Sequence, residues 1–152
     1  MIPALAYPTL PAMTDEQIDL VRAVEAKMLE MPQISIPTHH LLHGGMYART
    51  ITLHTGMAIS GAQIEVATIL IVNGKCSVFA GDDTIEIDGH AVIPGSKGRK
   101  QLFLAETETS LTVVFPTQAK TIEDAEEEFT KEAARLGSRQ CAEHDTHIIT
   151  GE

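Results

Sequence analysis

The chain has 152 residues, 43% of them hydrophobic, which is enough for one domain with a single sizeable core. Its formal net charge of −10 argues against nucleic acid, whose phosphates demand clustered cations, and against an anionic membrane surface. No apolar run reaches the ~20 residues of a spanning helix, and with aromatics at 4% and no Trp the core must be built from Ile, Val, Leu and Met.

Residues 1–13 predict an extended arm, because Pro3, Pro8 and Pro11 block a helix and supply no backbone donor. Such a stretch is either a disordered terminus or an arm reaching onto a neighbouring subunit, with Ile2, Leu5, Tyr7 and Leu10 as its anchors. The stretch has no basic region and does not read as a signal peptide. Cys76 and Cys141 make no disulfide framework, so the cytoplasm is the expected compartment. Thr14-x-x-Gln17 is a capping box that opens a helix. Ile18, Val21, Val24, Met28 and Met31 follow at helical spacing as one stripe expected in the core, and Pro32 stops the run.

From Ile34 the period shortens. Ile34 and Ile36 alternate with Ser35, and the patch THHLLHGG carries His39, His40 and His43. A strand at Met46–Thr55 puts Tyr47, Arg49, Ile51 and Leu53 on one face and Ala48, Thr50, Thr52 and His54 on the other. Gln63 to Ala80 holds two aliphatic runs around Asn73-Gly74, a strong hairpin-turn signal. Its first run is apolar on both faces, which predicts a central strand covered on both sides. Short strands follow at Thr84–Ile87, His90–Ile93, Gln101–Ala105 and Ser110–Phe115, with a basic loop, SKGRK, among them. Turn signals every several residues across 45–116 indicate a β-sandwich or barrel.

Thr121 to Leu136 predicts a second amphipathic helix, with Ile122, Ala125, Phe129, Ala133 and Leu136 inward. Its other face is acidic and includes Glu126. Gly137 suits the C′ position, and residues 138–152 are expected to be a flexible tail. The expected organisation is the arm, one domain over 14–137 with a β core at about 34–117, and the tail.

His40, Gly45, Tyr47, Arg49, Gly56, Gly61, Gly74, Pro94-Gly95-Ser96-Lys97 and the terminal VVFPT at 113–117 carry a resemblance. In this order they resemble the cupins, double-stranded β-barrels of jelly-roll type, and more narrowly the small cupin-like proteins of tailed phages and prophages. The resemblance spans about half the chain and implies a mainly β fold flanked by the two amphipathic helices. Cupin enzymes hold a metal through G-x5-H-x-H-x3,4-E-x6-G and G-x5-P-x-G-x2-H-x3-N. Laid on Gly56, the first motif puts Ala62 and Ile64 at the two His positions and Thr68 at the Glu position, with Gly74 one residue early. The second matches Gly89 and Pro94-Gly95 loosely, and Gly98 stands near its last ligand. Phe115 stands where phage-type relatives commonly end the last strand with His. None of these residues is a metal donor, so neither that metal centre nor any other cofactor is expected.

The remaining candidates are read from the residues. His39, His40 and His43 could place two or three imidazoles near a metal, but are expected to pair with backbone carbonyls. C-x2-H-x2-H at Cys141, His144 and His147 has a spacing that suits metal ligands, but no second half completes it and a flexible tail is expected. Arg49 needs a partner if buried: Glu106 or Glu108, a bound anion, or another subunit. Lys97, Arg99 and Lys100 form the one basic cluster, either a solvated turn or a dock for an acidic surface such as a neighbour's C-terminal helix. No nucleophile–base set, P-loop, HExxH or Rossmann glycine pattern is present.

The leading expectation is a non-enzymatic phage or prophage structural or assembly component. It would work as a homo-oligomer, with itself and other phage structural proteins as partners, in the host cytoplasm or the virion. Lys97, Arg99, Lys100 and Tyr7 are its interface candidates. The alternative is a small-molecule-binding protein or a metal-independent enzyme of the sugar isomerase or epimerase type. That reading uses Tyr47, Arg49, His40, His54 and Thr68 around an open barrel mouth. A third reading is a metal-dependent protein with relocated histidines.

Overall fold

The computed structural model describes residues 9–140 and 142–152. Ile2, Leu5 and Tyr7 of the expected arm, and Cys141, lie outside the described residues. Leu10 is fully buried, and its backbone N–H donates to the Pro94 carbonyl at 2.9 Å, tying the chain beside Gly95.

The strands are β1 (His39–His43), β2 (Met46–Leu53), β3 (Ala58–Ser60), β4 (Thr68–Ala80), β5 (Asp83–Gly95), β6 (Leu102–Ala105), β7 (Thr109–Pro116) and β8 (Thr146–Ile149). The helices are α1 (Asp15–Met28), α2 (Ile122–Phe129) and the single turn α3 (Gly137–Gln140). The fold is mainly β, with helices before and after the sheet, as the sequence predicts. The strands run β3-β6-β4-β7-β2-β1-β8, and β5 lies along the other edge of β4.

Asn73-Gly74 is not the hairpin turn. The long β4–β5 hairpin reverses at Gly81-Asp82, where Ala80 pairs with Asp83, and Asn73-Gly74 lies mid-strand opposite His90 and Gly89. Before this point β4 pairs with β7 (Ile69–Asn73), and after it with β6 (Cys76–Phe79). The turn joining β6 to β7 crosses close over the bend, and Lys75 O accepts from Glu106 N at 2.8 Å. Gly74 has φ +135°, and a Cβ there would lie 2.5 Å from Glu108 O. A glycine is needed because the backbone changes partners here and another chain segment leaves no room.

The bend curls the sheet around its main core: Leu53, Leu70, Val72, Val78, Ile87, Ile93, Phe103 and Leu111, with Leu10. Alternation along each strand sends these residues to the concave side. A second core sits at one end, where Ile122, Ala125 and Phe129 of α2 pack on Leu42, Tyr47, Ile64 and Phe115. The expectation that β4 is covered on both faces fails over its first half. Met13, Ile18 and Val21 cover the convex side only near Phe79 and Leu102, leaving Ile69 49% exposed.

The Thr14–Gln17 capping box opens α1 as predicted. Ile18 and Val21 are buried, but Val24 and Met31 of the expected core stripe are exposed, because α1 lies over the sheet only through its earlier turns. The second helix is shorter than predicted. It ends at Phe129, and Thr130 is extended and fully buried, its hydroxyl accepting from Glu132 N at 3.1 Å. That local bond competes with helix continuation. A 3-10 turn at Ala133–Arg135 and then α3 follow. The stretch expected as a tail differs too: it contains α3, a 3-10 turn at Ala142–His144, and β8 paired in parallel with β1.

Candidate functional site

At Thr68, one of the positions where the resemblance would place a metal donor, the structure places a guanidinium. Thr68 Oγ1 accepts from Arg99 at 2.6 Å, and Arg99 also donates to Ser96 O at 2.5 Å and Gln101 Oε1 at 3.0 Å. Arg99 is 1% exposed and these three partners are neutral, so burial lowers its pKa to about 10, which leaves it charged at neutral pH. A Cβ on Gly95 would fall 2.5 Å from Arg99 Cζ, so Gly95 is the space the guanidinium occupies. Ile64 and Phe115 are buried in the second core, and Ala62 packs against it. With apolar side chains and a fixed cation at these positions, a divalent metal does not fit there.

The basic cluster is therefore not a surface patch. Lys100 is also buried, bonded to Glu25 at 2.9 Å and to Gly61 O at 2.8 Å, with Glu132 at 3.8 Å. Glu132 also pairs with Arg22 of α1 at 2.6 Å, so these carboxylates turn inward and neutralise Lys100. Of the three bases among the interface candidates only Lys97 is exposed, and Tyr7, the fourth candidate, lies outside the described residues.

The predicted site residues that do converge are His40, Tyr47 and Arg49. Neighbouring β1 and β2 pair His40 with Arg49 and Leu42 with Tyr47, and strand alternation aims all of these toward α2. Tyr47 OH lies 2.6 Å from His40 Nδ1 and accepts from Arg49 at 3.2 Å. Arg49 finds neither Glu106 nor Glu108. Its partner is Glu126 at 3.2 Å, with Ser138 Oγ at 3.3 Å and the Phe129 ring beneath, 5.2 Å to its centroid. Glu106 instead pairs with Lys75, and Glu108 lies near His54.

Glu126, placed on the solvated helix face by the sequence reading, is 2% exposed. Burial pushes its carboxyl pKa up. Bonds from Ser138 at 2.5 Å and Arg139 at 3.0 Å, and the Arg49 charge, more than offset this and hold it below the usual range. Its position was legible: four residues after Ile122 and three before Phe129, it lies on the apolar face. Burial lifts the Tyr47 phenol to about 12, so it stays protonated. Burial, followed by the Arg49 charge, lowers the His40 pKa and favours the neutral imidazole.

Beside this network is a cleft of about 290 Å³, lined by His40, Glu126, Ser138, Arg139 and His147 among others. It lies between β1, α2 and the C-terminal segment. The expected barrel mouth beside Arg49 is covered by Phe129, which stacks on Phe115 with centroids 5.7 Å apart. Of the other candidates, the His54 side chain is 73% exposed at the end of β2, and Thr68 serves Arg99. Ser138, Arg139 and Asp145 of the site were missed, and His147, noted in C-x2-H-x2-H, was assigned to a tail, because no local pattern reveals that β8 returns to β1.

Neither any protein-family model nor any curated protein sequence matches the chain. Solved structures similar to it include a cupin superfamily protein from Desulfitobacterium hafniense (10% identity, TM-score 0.46, over 61% of this chain and 87% of that one). A cupin-2 domain-containing protein from Shewanella frigidimarina is similar at 15% identity and TM-score 0.41, over 61% and 91% of the two chains. An RmlC-like cupin protein from Desulfovibrio desulfuricans is similar at 17% identity and TM-score 0.46, over 58% and 91%. What this chain has in common with these cupins is a likeness of fold.

Proposed function

We propose that the protein is a non-enzymatic structural or assembly component that works as a homo-oligomer. Its place would be the host cytoplasm or the virion, as the resemblance to phage and prophage cupin-like proteins implies. The observation that carries the reading is the convex face of the sheet. Ile148, Leu41, Ala48, Val114, Ile69 and Pro94 stand side by side in register across β8, β1, β2, β7, β4 and β5. The next row is Thr146, His39, Thr50, Thr112, Ile71 and Val92, so neither row carries a carboxylate, Lys or Arg. Leu41, Ile69, Val92 and Ile148 are 41–52% exposed, and no helix among the described residues covers them.

A contiguous apolar sheet face marks an interaction site, and sheets pack face to face at about 10 Å. The occupant favoured here is a second copy of the same face. With net charge −10 the molecules repel one another elsewhere, and an uncharged face is where two acidic copies approach without opposed carboxylates. The filled concave core supports the non-enzymatic part of the reading. The test is mass by light scattering at tens of micromolar. The wild type should be a dimer or a higher even oligomer, and Ile69→Lys with Leu41→Lys should be a folded monomer by circular dichroism. A monomeric wild type, or a double variant that keeps its mass, would overturn the proposal.

A further inference from the structure

The C-terminal segment and β1 bring together three metal-type donors that lie far apart in sequence. One ligand atom each from His40, Asp145 and His147 lies within 4.8 Å of the others. His40 Nε2 and Asp145 Oδ2 are 3.5 Å apart, and both side chains are at most 1% exposed. That separation is long for a hydrogen bond. It matches the edge of a tetrahedron with bonds of about 2.1 Å, which is about 3.4 Å.

Each donor is already oriented. Asp145 Oδ1 accepts from Thr38 N at 2.9 Å, while Oδ2 has no hydrogen-bond partner. A buried carboxylate oxygen left this way is costly unless a cation or proton meets it. His40 Nδ1 is engaged by the Tyr47 hydroxyl at 2.6 Å, which leaves Nε2 to face Asp145. An outer partner on the second imidazole nitrogen is what metal-ligating histidines have. His147 stands edge-on to His40 with centroids 4.7 Å apart, and being exposed it is free to close the remaining distance. The nearby cations are already neutralised, Arg49 by Glu126 and Arg139 by Glu126 and Glu127.

We propose that His40, Asp145 and His147 form a site for a divalent cation of the zinc class, with its remaining coordination position opening on the adjacent cleft. Two imidazoles and one carboxylate are a donor set that zinc takes with one position open. The site differs from the one the resemblance points to, where Arg99 sits. It stands independently of the assembly reading, since a bound cation would clasp β8 to β1 whether or not copies associate.

The experiment is titration of metal-free protein with Zn²⁺ against a chromogenic chelator, alongside Co²⁺ absorption. The wild type should take up one equivalent and give the intense visible bands of a four-coordinate Co²⁺ site. His147→Ala, which removes an exposed side chain, should weaken binding at least tenfold and abolish those bands. Tyr47→Phe should weaken it roughly 10- to 100-fold through His40, and His144→Ala should leave it unchanged. No stoichiometric uptake by the folded wild type would overturn the site. Uptake that survives His147→Ala, or is lost with His144→Ala, would do so as well.

Discussion

Glu126 holds more of the structure together than any other single carboxylate at the site, since it meets Arg49, Ser138 and Arg139 within a 2%-exposed environment. Replacing it with Gln leaves the Arg49 guanidinium, whose side chain is 11% exposed, without its counter-charge. Breaking a buried pair from one side costs about 3–5 kcal/mol, and Glu126→Gln should lower the urea midpoint accordingly. The same physics sets an acid limit. Glu25, Glu126 and Glu132 all have folded-state pKa values below the ordinary 4.5. The unfolded chain therefore binds protons more readily than the native one as pH drops. Their stabilisation is complete above about pH 5 and is lost as pH falls through 4.5 and then the native values. Urea midpoints measured from pH 7 to 3 should fall in that window, and less steeply in Glu126→Gln.

At the scale of elements, the bend in β4 and the packing of α2 set the architecture. Gly74→Ala should destabilise by at least about 2 kcal/mol, since it adds a left-handed residue to a 2.5 Å approach. A value near zero in denaturant melts would show that the β6–β7 turn moves aside freely. Phe129→Ala removes the ring stacked on Phe115 and beneath Arg49, and should cost about 3–5 kcal/mol in the same measurement. These elements also show what was legible. The capping box and the strand periods of β2, β6 and β7 are local and appear where the sequence places them, whereas Thr84–Ile87 and His90–Ile93 merge into one strand and Ile34–Ile36 lies outside any strand. Asn73-Gly74 was misread because the pair suits both a tight turn and a strand bend, and only the crossing β6–β7 turn decides between them. The break at Thr130 was invisible because the apolar spacing of Ala133 and Leu136 continues that of Phe129.

At the scale of the whole molecule, half of the candidate site was readable and half was not, for one reason. His40, Tyr47 and Arg49 share two adjacent strands, so alternation and pairing bring them together. Glu126 is placed by the helical spacing of α2, but Ser138, Asp145 and His147 come from a segment whose return is set by tertiary packing, and no periodicity encodes it. Arg99 and Lys100 show the same gap from the other side. A run of bases reads as solvated, yet Glu25 and Glu132 draw one inward and Thr68 with Gln101 accepts the other.

The parallel pairing of β8 on β1 joins residues 107 positions apart, and β8 touches the sheet along one side only. A four-residue edge strand whose residues are all exposed returns little free energy on docking. This strand should therefore be among the first to open in native-state hydrogen exchange. The amides of Thr146 and Thr150, which donate to Thr38 and Leu42, should exchange well before those of the β4–β5 hairpin. Each opening bares the edge of β1, which can accept a strand from another molecule as readily as its own. Strand-exchanged species are therefore expected to grow with protein concentration, a change that size-exclusion profiles would check.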